Sequence, residues 1–176
     1  LKTISLKDFT EELSSIIRLL AGDKQLELKT TIKEPLPRLV EIDGTRLRQI
    51  LWNILFNAVK FTQKGHVSLS VSATKPENDK AFVTFIIEDT GVGIPESEID
   101  KIFAMYYQVD HPDHQSATGT GIGLAICKQM VDLMSGEINV TSTVGKGTRF
   151  EIILPVQISN SPMKVAELDV TGLNIL

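Results

Sequence analysis

Two asparagines and a lysine recur at helical spacing in the segment that follows Asp43. Asn53, Asn57 and Lys60 fall on one polar stripe, beside an apolar stripe of the same predicted helix. Asparagine is a mediocre helix former, because its side chain competes for backbone hydrogen bonds. Mg²⁺ accepts amide oxygens together with waters and phosphate oxygens, and a lysine one turn further on can meet a phosphate as a point charge. The stripe indicates either a metal and phosphate site or a polar helix face exposed to water.

Two glycine-rich loops could approach an anionic ligand. The glycines are Gly91, Gly93, Gly119, Gly121 and Gly123. Glycine lets the backbone come close to a ligand, and the second loop opens a helix whose first N–H groups favour an anion. Its spacing is too short for a Rossmann loop, and it lacks the Gly-Lys-Ser/Thr of a Walker A motif. An anion site and an ordinary helix-entry turn are both consistent with it.

An acidic residue stands between a predicted buried strand and the first glycine loop. Asp89 can accept a hydrogen bond from an exocyclic amine such as that of adenine, or it can simply cap the turn at Thr90-Gly91. Thr148, just after Gly147, is either an ordinary strand residue or a neighbour of the same base.

Hydrophobic periodicity places these residues on helices and strands. Helices are predicted from Ser5 to Gly22, from Asp43 to about Thr62, from Pro95 to Phe103 and from Leu124 to Met134. Strands are predicted over 26–32, 39–42, 67–73, 81–88, 137–142 and 148–154. The segment 104–118 has no clear periodicity and is predicted to be a mobile loop.

Composition bounds the class of protein. The 176 residues are 42% hydrophobic, which predicts a globular core, and the net charge of −4 argues against nucleic-acid binding. A single cysteine, Cys127, excludes an intrachain disulfide and fits a reducing compartment, where we expect it to be a buried residue without a redox role. No apolar run approaches about 18 residues, the length needed to cross a bilayer.

Both ends of the sequence suggest a fragment of a longer protein. The chain begins at Leu1 without a methionine. Residues 156–172 have the composition of a linker, and 173–176 read as the start of another buried strand.

Five groups of residues, in order, resemble the N, G1, F, G2 and G3 boxes of sensor histidine kinases. They are 53–62 with Asn53 and Asn57, 89–94 with Asp89, Gly91 and Gly93, 101–103 ending in Phe103, 119–124, and 145–150 with Gly145, Gly147 and Phe150. The resemblance spans roughly residues 1–155. More narrowly, 103–109 resembles the F-box region of one hybrid sensor kinase, and 173–176 is similar to the first strand of a receiver domain.

The resemblance implies a fold and a domain organisation. The fold would be an α/β (α+β) two-layer sandwich of the GHKL or Bergerat type, shared with Hsp90, DNA gyrase B and MutL. Its mixed, mostly antiparallel sheet would pack on about three helices, with an ATP lid loop. Residues 1–155 would form the catalytic ATP-binding kinase domain, 156–172 a linker and 173–176 the start of a truncated receiver domain.

The resemblance also assigns residues to ATP and Mg²⁺. Asn57 would ligate Mg²⁺, Lys60 would reach the phosphates, and Asp89 would accept from the adenine amine. Asn53 stands where related ATPases have a glutamate that activates water, and an amide cannot act as that base. Asn53 and Lys60 are therefore the predicted catalytic residues. The predicted nucleotide-binding residues are Asn53, Asn57, Lys60, Asp89, Gly91, Gly93, Ile94, Tyr106, Tyr107, Gly119, Thr120, Gly121, Ile122, Gly123, Leu124, Thr148 and Phe150.

The implied reaction is transfer of the γ-phosphate of Mg·ATP to a histidine on an upstream dimerisation domain. We expect His66, His111 and His114 not to be that acceptor, since lone histidines are usually surface residues. The implied further partners are a downstream receiver domain and a response regulator reached through a phosphorelay. The parent would be a membrane-anchored homodimer, with this chain as a cytoplasmic domain of a bacterial inner-membrane sensor. An autonomous GHKL-type ATPase and a non-catalytic nucleotide-binding module remain as alternatives.

Overall fold

The computed structural model describes residues 1–108 and 120–159, and it places them in one mixed sheet with helices on one side. The helices are α1 (Leu6–Asp23), α2 (Gly44–Phe61) and α3 (Gly123–Leu133), with a 3₁₀ helix over Glu96–Lys101. The strands are β1 (Lys2–Ile4), β2 (Glu27–Ile32), β3 (Val40–Ile42), β4 (His66–Ala73), β5 (Lys80–Asp89), β6 (Glu137–Thr143) and β7 (Gly147–Ile158).

The sheet is mixed but mostly antiparallel, as predicted. Its strand order is β1-β3-β7-β5-β4-β2, and β6 pairs with the same edge of β7 as β3 does. Only β2 and β4 pair in parallel within the described residues. The β5–β7 pairing sets Glu88 opposite Arg149 and Ile87 opposite Phe150, which brings the end of β5 beside the start of β7.

Side-chain caps begin the two long helices where the sequence predicted them. The Ser5 side chain accepts a hydrogen bond from the Asp8 N–H, and the Asp43 carboxylate accepts from the N–H groups of Thr45 and Arg46. The hydrogen bond from Arg46 lowers the pKa of Asp43, so the cap stays ionised at neutral pH. The Asp43 cap therefore fixes the residue at which α2 begins. That starting point determines which side of the helix carries the polar stripe.

The core lies between the sheet and the helices. Along β5, Val83, Phe85 and Ile87 are buried while the residues between them are more exposed, which is the alternation of a sheet with one covered face. α2 adds its own fully buried stripe, formed by Leu47, Ile50, Leu51, Ile54 and Leu55. The two-layer sandwich predicted from the family resemblance is confirmed. Among the described residues, no helix has the length and apolar character to cross a membrane.

Three elements differ from the sequence predictions. β1 was not predicted, and it pairs with β3 from Lys2 opposite Ile42 to Ile4 opposite Val40. The segment predicted to be a short helix after Pro95 is a 3₁₀ helix. β7 runs from Gly147 to Ile158 and is therefore longer than the strand predicted over 148–154. The part of the predicted linker beyond residue 159 and the segment 173–176 lie outside the described residues, as does most of the predicted lid loop.

Candidate functional site

Asp89 is the last residue of β5, and its carboxylate is held by backbone donors. Oδ1 accepts a hydrogen bond from the Gly91 N–H at 2.8 Å and from the Thr148 N–H at 3.3 Å. Among the described residues none donates to Oδ2, so that oxygen is available to a ligand. Burial raises the pKa of Asp89, and the two N–H donors partly oppose the rise. The site therefore combines a buried acceptor with a fixed orientation.

Glycines let three backbone segments converge on this carboxylate. A methyl group on Gly91 would lie 2.6 Å from the Phe61 carbonyl oxygen and 2.8 Å from Asp89 Oδ1. Gly147 has a φ of +119°, and a methyl group there would overlap the Asp89 carbonyl oxygen. Both positions need glycine because a side chain would push the end of β5 away from α2 or β7.

Ser142 on β6 ties the first glycine loop to β7. Its Oγ accepts from the Ile94 N–H at 2.8 Å, donates to the Gly147 carbonyl oxygen at 2.9 Å and lies 2.9 Å from Thr148 Oγ1. We call Asp89, Gly91, Ile94, Ser142 and Thr148 the Asp89 cluster. All of these residues are partly or fully buried.

The Asp89 cluster adjoins the end of α2. The Val92 N–H donates to the Phe61 carbonyl oxygen at 3.4 Å. The Lys24 ammonium group covers the neighbouring carbonyl oxygens, at 2.9 Å from Val59, 2.8 Å from Lys60 and 3.4 Å from Thr62. A cation at the C-terminal end of a helix satisfies the last carbonyls and suits the helix dipole. The glycine loop and Lys24 together fix the turn of α2 that carries Lys60.

Asn53, Asn57 and Lys60, which we call the α2 stripe, follow one another at helical spacing along α2. The Asn53 side-chain N–H donates to the Gly123 carbonyl oxygen at 3.5 Å and to Cys127 Sγ at 3.6 Å. Asn53 therefore contacts α3, which excludes the water-facing interpretation for this residue. Asn57 and Lys60 are partly exposed, and Lys60 Nζ lies 5.0 Å from the centre of the Phe61 ring.

Cys127 serves as a packing residue beneath Asn53. It is fully buried, and its Sγ donates to the Ile50 carbonyl oxygen at 3.7 Å. Burial raises the pKa of the thiol to about 11, and the hydrogen bond from Asn53 opposes that rise. A thiol with this pKa is protonated at neutral pH, so Cys127 lacks the thiolate that redox chemistry requires.

The second glycine loop lies against Tyr106 and Tyr107. Gly121 has a φ of +67°, and a methyl group on it would lie 2.7 Å from the Tyr106 carbonyl carbon. The Tyr106 N–H donates to the Gly121 carbonyl oxygen at 3.0 Å. Tyr106 is 73% exposed and Tyr107 is partly buried. Gly119 lies outside the described residues, as do His111 and His114.

The other predicted nucleotide-binding residues lie at the start of α3, in the first glycine loop and on β7. Ile122 and Leu124 are partly buried at the start of α3, where Ile122 is the residue before the helix and Thr120 is exposed. Ile94 packs against the core from the first glycine loop, and Phe150 is buried within the core opposite Ile87. Phe150 lies two residues after Thr148 on β7 and therefore on the same face of that strand.

A cleft of about 270 Å³ opens at this end of the sheet. Asp89 and Thr148 line it, and so do Glu88 and Arg149, whose side chains pair at 3.3 Å. Because neighbouring residues of a strand point to opposite faces of the sheet, these residues line the cleft from both faces at the ends of β5 and β7. The Asp89 cluster is thus reachable from the end of the sheet.

Two contributors to this site were missed by sequence reasoning. Lys24 carried no signal, because a lysine after a helix end is ordinary. Ser142 had a weak signal, since it is a polar residue on the side of β6 that alternation assigns to the covered face. Within residues 1–108 and 120–159, no group of three or more histidines, cysteines and acids could hold a metal ion.

Comparisons with known proteins agree with the fold. The family model for the histidine kinase-, DNA gyrase B- and HSP90-like ATPases matches residues 42–158. The chain is 43% identical over 167 residues to the aerobic respiration control sensor protein ArcB of Escherichia coli (strain K12), covering 94% of this chain and 20% of ArcB. It is 37% identical over 141 residues to the sensor histidine kinase RcsC of the same strain, covering 80% of this chain and 14% of RcsC.

Among solved structures, full-length ShkA in complex with AMPPNP matches with a TM-score of 0.77 and 31% identity, covering 93% of this chain and 32% of ShkA. The chain spans a fifth or less of the length of ArcB and RcsC, at 20% and 14%. The narrower resemblance of 103–109 described above is to ArcB, and the comparison confirms it over most of the chain.

Proposed function

The chain belongs to the family of histidine kinase-, DNA gyrase B- and HSP90-like ATPases, and from this premise we propose that it binds Mg·ATP and transfers the γ-phosphate to a histidine on a separate dimerisation domain. The observation that carries the proposal is the junction between the Asp89 cluster and the α2 stripe. The hydrogen bond from the Val92 N–H to the Phe61 carbonyl oxygen joins the glycine loop between Gly91 and Ile94 to the last residue of α2, next to Lys60. A single nucleotide can therefore contact Asp89 with its base and α2 with its phosphates.

The proposed base contact is an amine donating to Asp89. Oδ1 is already occupied by two backbone donors, so the free oxygen Oδ2 would receive the adenine N–H. A carboxylate is an acceptor only, which favours an amine over a carbonyl at that position. Gly91 and Gly93 allow the loop to lie close to the ring.

The proposed phosphate contacts come from α2 and from the start of α3. From Asn53 to Lys60 the helix rises about 10 Å, so the stripe can follow a triphosphate. Lys60 would stabilise phosphate charge, and the first N–H groups of α3 after Ile122 are available to an anion.

The proposed metal site uses the Asn57 amide oxygen. Asn57 is partly exposed, and amide oxygens suit Mg²⁺, so the residue type fits this ion. Bound Mg²⁺ would neutralise charge on the phosphates and hold them in line for attack. Asn57 would orient the phosphates relative to Lys60 on the next turn.

Asn53 is the reason for proposing transfer rather than hydrolysis. Its amide cannot remove a proton from water, and its N–H groups already contact Gly123 and Cys127. The site would then position the γ-phosphate and leave the nucleophile to another domain. We do not assign that role to His66, which begins the inner strand β4 and whose backbone is hydrogen-bonded to Thr90.

We propose the remaining partners on the same basis. The acceptor histidine would belong to an upstream dimerisation domain, and a receiver domain and a response regulator would take the phosphate onward. The parent would be a membrane-anchored homodimer that holds this domain in the cytoplasm. The names of RcsC and ArcB, a sensor histidine kinase and a sensor protein, support a parent that is a sensor histidine kinase.

The test is a transfer reaction in solution. The 176-residue chain is incubated with γ-labelled ATP, Mg²⁺ and a purified histidine-bearing dimerisation domain. We expect acid-labile label on that domain and none when its histidine is replaced by glutamine. Fast ATP hydrolysis by the chain alone, with no label transferred, would instead support an autonomous ATPase. Nucleotide binding with neither transfer nor hydrolysis would support a non-catalytic module.

A further inference from the structure

Ser142 makes three polar contacts, and together they fix the direction of every proton involved. A serine hydroxyl has one proton and accepts with two lone pairs. The Ile94 N–H can only donate, at 2.8 Å, and the Gly147 carbonyl can only accept, at 2.9 Å. Ser142 therefore donates its single hydroxyl proton to the Gly147 carbonyl oxygen.

The third contact joins two hydroxyls, at 2.9 Å between Ser142 Oγ and Thr148 Oγ1. Either oxygen could be the donor if this contact stood alone. The single hydroxyl proton of Ser142 is donated to the Gly147 carbonyl oxygen. All three bonds therefore form together only when the Thr148 hydroxyl donates to Ser142 Oγ. The Thr148 hydroxyl then has no proton left and presents lone pairs alone to any other group.

Thr148 stands directly beside the Asp89 carboxylate. Its own N–H donates to Asp89 Oδ1 at 3.3 Å, and its side chain is 8% exposed. With the Thr148 proton committed to Ser142, both side chains at this end of the site are acceptors. An exocyclic amine satisfies them, whereas a carbonyl at the same place would face acceptors without a donor.

We propose that Ser142 is a specificity-determining residue, which selects an amino-purine over an oxo-purine by holding the Thr148 hydroxyl as an acceptor. The proposal rests on the proposed function, since it concerns the nucleotide that this site takes. Ser142 acts through Thr148 and is a positioning residue. Without it, the Thr148 hydroxyl would be free to turn and donate to a carbonyl.

The test compares ATP with inosine triphosphate, which carries a carbonyl in place of the amine. Calorimetric affinities are measured for the full chain, Ser142→Ala and Ser142→Thr. We expect the ratio of ATP affinity to inosine triphosphate affinity to fall roughly 3- to 10-fold in Ser142→Ala, because one hydroxyl becomes able to donate. Ser142→Thr keeps the hydroxyl and should keep the ratio. The control, Asn139→Ala, removes an exposed polar side chain from the same strand and should change neither affinity.

The outcomes separate a selective role from a structural one. A purely structural Ser142 would weaken both nucleotides equally and leave the ratio unchanged, which would overturn the inference. If the wild-type chain binds neither nucleotide, the proposed function fails, and the inference fails with it.

A second pair of variants decides the matter should Ser142→Ala not fold. Thr148→Val removes the oriented hydroxyl, and Thr148→Ser retains it. We expect the affinity ratio to fall in Thr148→Val and to be retained in Thr148→Ser. Where Ser142→Ala folds, adding it to Thr148→Val should produce no further fall, because both changes remove the same oriented hydroxyl. An unchanged ratio in Thr148→Val, or additive effects in the double variant, would contradict the inference.

Discussion

In the Asp89 cluster the carboxylate is held by backbone N–H groups, whereas in the α2 stripe the polar groups are side chains along one helix. Gly91 and Thr148 donate to Asp89, and Ser142 joins their two segments. Asn57 and Lys60 are partly exposed on α2. Backbone donors are positioned once the fold forms, whereas side chains must still be ordered when a ligand binds.

This difference predicts a division of labour between the two regions. Selection of the base should depend on backbone geometry and on the few hydroxyls and carboxylates anchored to it. Binding of metal and phosphate should depend on individual side chains that can be removed without disturbing the fold. Substitutions should therefore separate into those that change selectivity or stability and those that change only metal-dependent affinity.

The largest effect on binding is expected from Asn57→Ala. Loss of the proposed amide ligand should weaken Mg²⁺-dependent ATP affinity roughly 100-fold while the unfolding free energy stays nearly constant. Gln49→Ala is the matched control, because Gln49 is an exposed amide about two turns earlier on α2. Calorimetry with and without Mg²⁺ measures the difference. Undiminished metal-dependent binding in Asn57→Ala would remove Asn57 from the metal site.

The next largest effect is expected from Gly147→Ala. Its φ of +119° and the contact with the Asp89 carbonyl oxygen leave no room for a methyl group, so stability should fall by about 3 kcal/mol. Gly145→Ala in the same turn is the control, since its φ of +75° is strained for a side chain, but no atom of the described residues lies within 4 Å of the added methyl group. That change should cost only about 1 kcal/mol. Denaturant unfolding measures both, and equal losses would show that the close approach to Asp89 is unimportant.

A smaller effect is expected from Lys24→Met. The ammonium group bonds to three carbonyl oxygens at the end of α2. Its loss should lower stability by only about 1 kcal/mol, because Lys24 is exposed to solvent. ATP affinity should also fall a few-fold, since Lys60 shares this turn. Lys29→Met is the control, as the exposed Lys29 side chain forms a surface ion pair with Glu27 at 3.3 Å and, within the described residues, no hydrogen bond to a helix end. Equal effects of the two substitutions would show that Lys24 does not hold the end of α2.

The smallest effect concerns the pH dependence of stability at Asp89. Burial raises its pKa above the ordinary 3.8, so the ionised form opposes folding at neutral pH and the penalty disappears as pH falls through the raised pKa. Asp89→Asn should therefore be at least as stable as the wild-type chain at neutral pH, with the difference shrinking on acidification. Unfolding curves across this range provide the measurement. A variant that is less stable by the same amount at every pH would contradict the direction of the shift.

Elements with local signals could be predicted from the sequence. Ser5 and Asp43 each precede an apolar helical stripe, so both long helices and the position of Asn57 followed from capping and periodicity. Asp89 and its glycines were also found, because a strand that ends in an acid and two glycines is a local pattern.

Features that depend on distant pairing could not be predicted. β1 exists only because β3 lies beside it, and three residues carry no pattern of their own. β7 passes through Pro155 because that residue lies between the pairing with β6, which ends at Ile153, and the pairing with β3, which begins at Gln157. The contacts of Lys24 and Ser142 likewise join segments far apart in the sequence, and only the fold brings them together.

The most direct test of the division of labour is one calorimetric titration series. Wild-type chain, Asn57→Ala and Asp89→Asn are each titrated with ATP and with inosine triphosphate, in the presence and absence of Mg²⁺. We predict that Asp89→Asn lowers the preference for ATP and keeps the dependence on Mg²⁺, whereas Asn57→Ala loses the dependence on Mg²⁺ and keeps the preference for ATP. If either variant changed both properties by a similar factor, the separation of base selection from metal and phosphate binding would be contradicted.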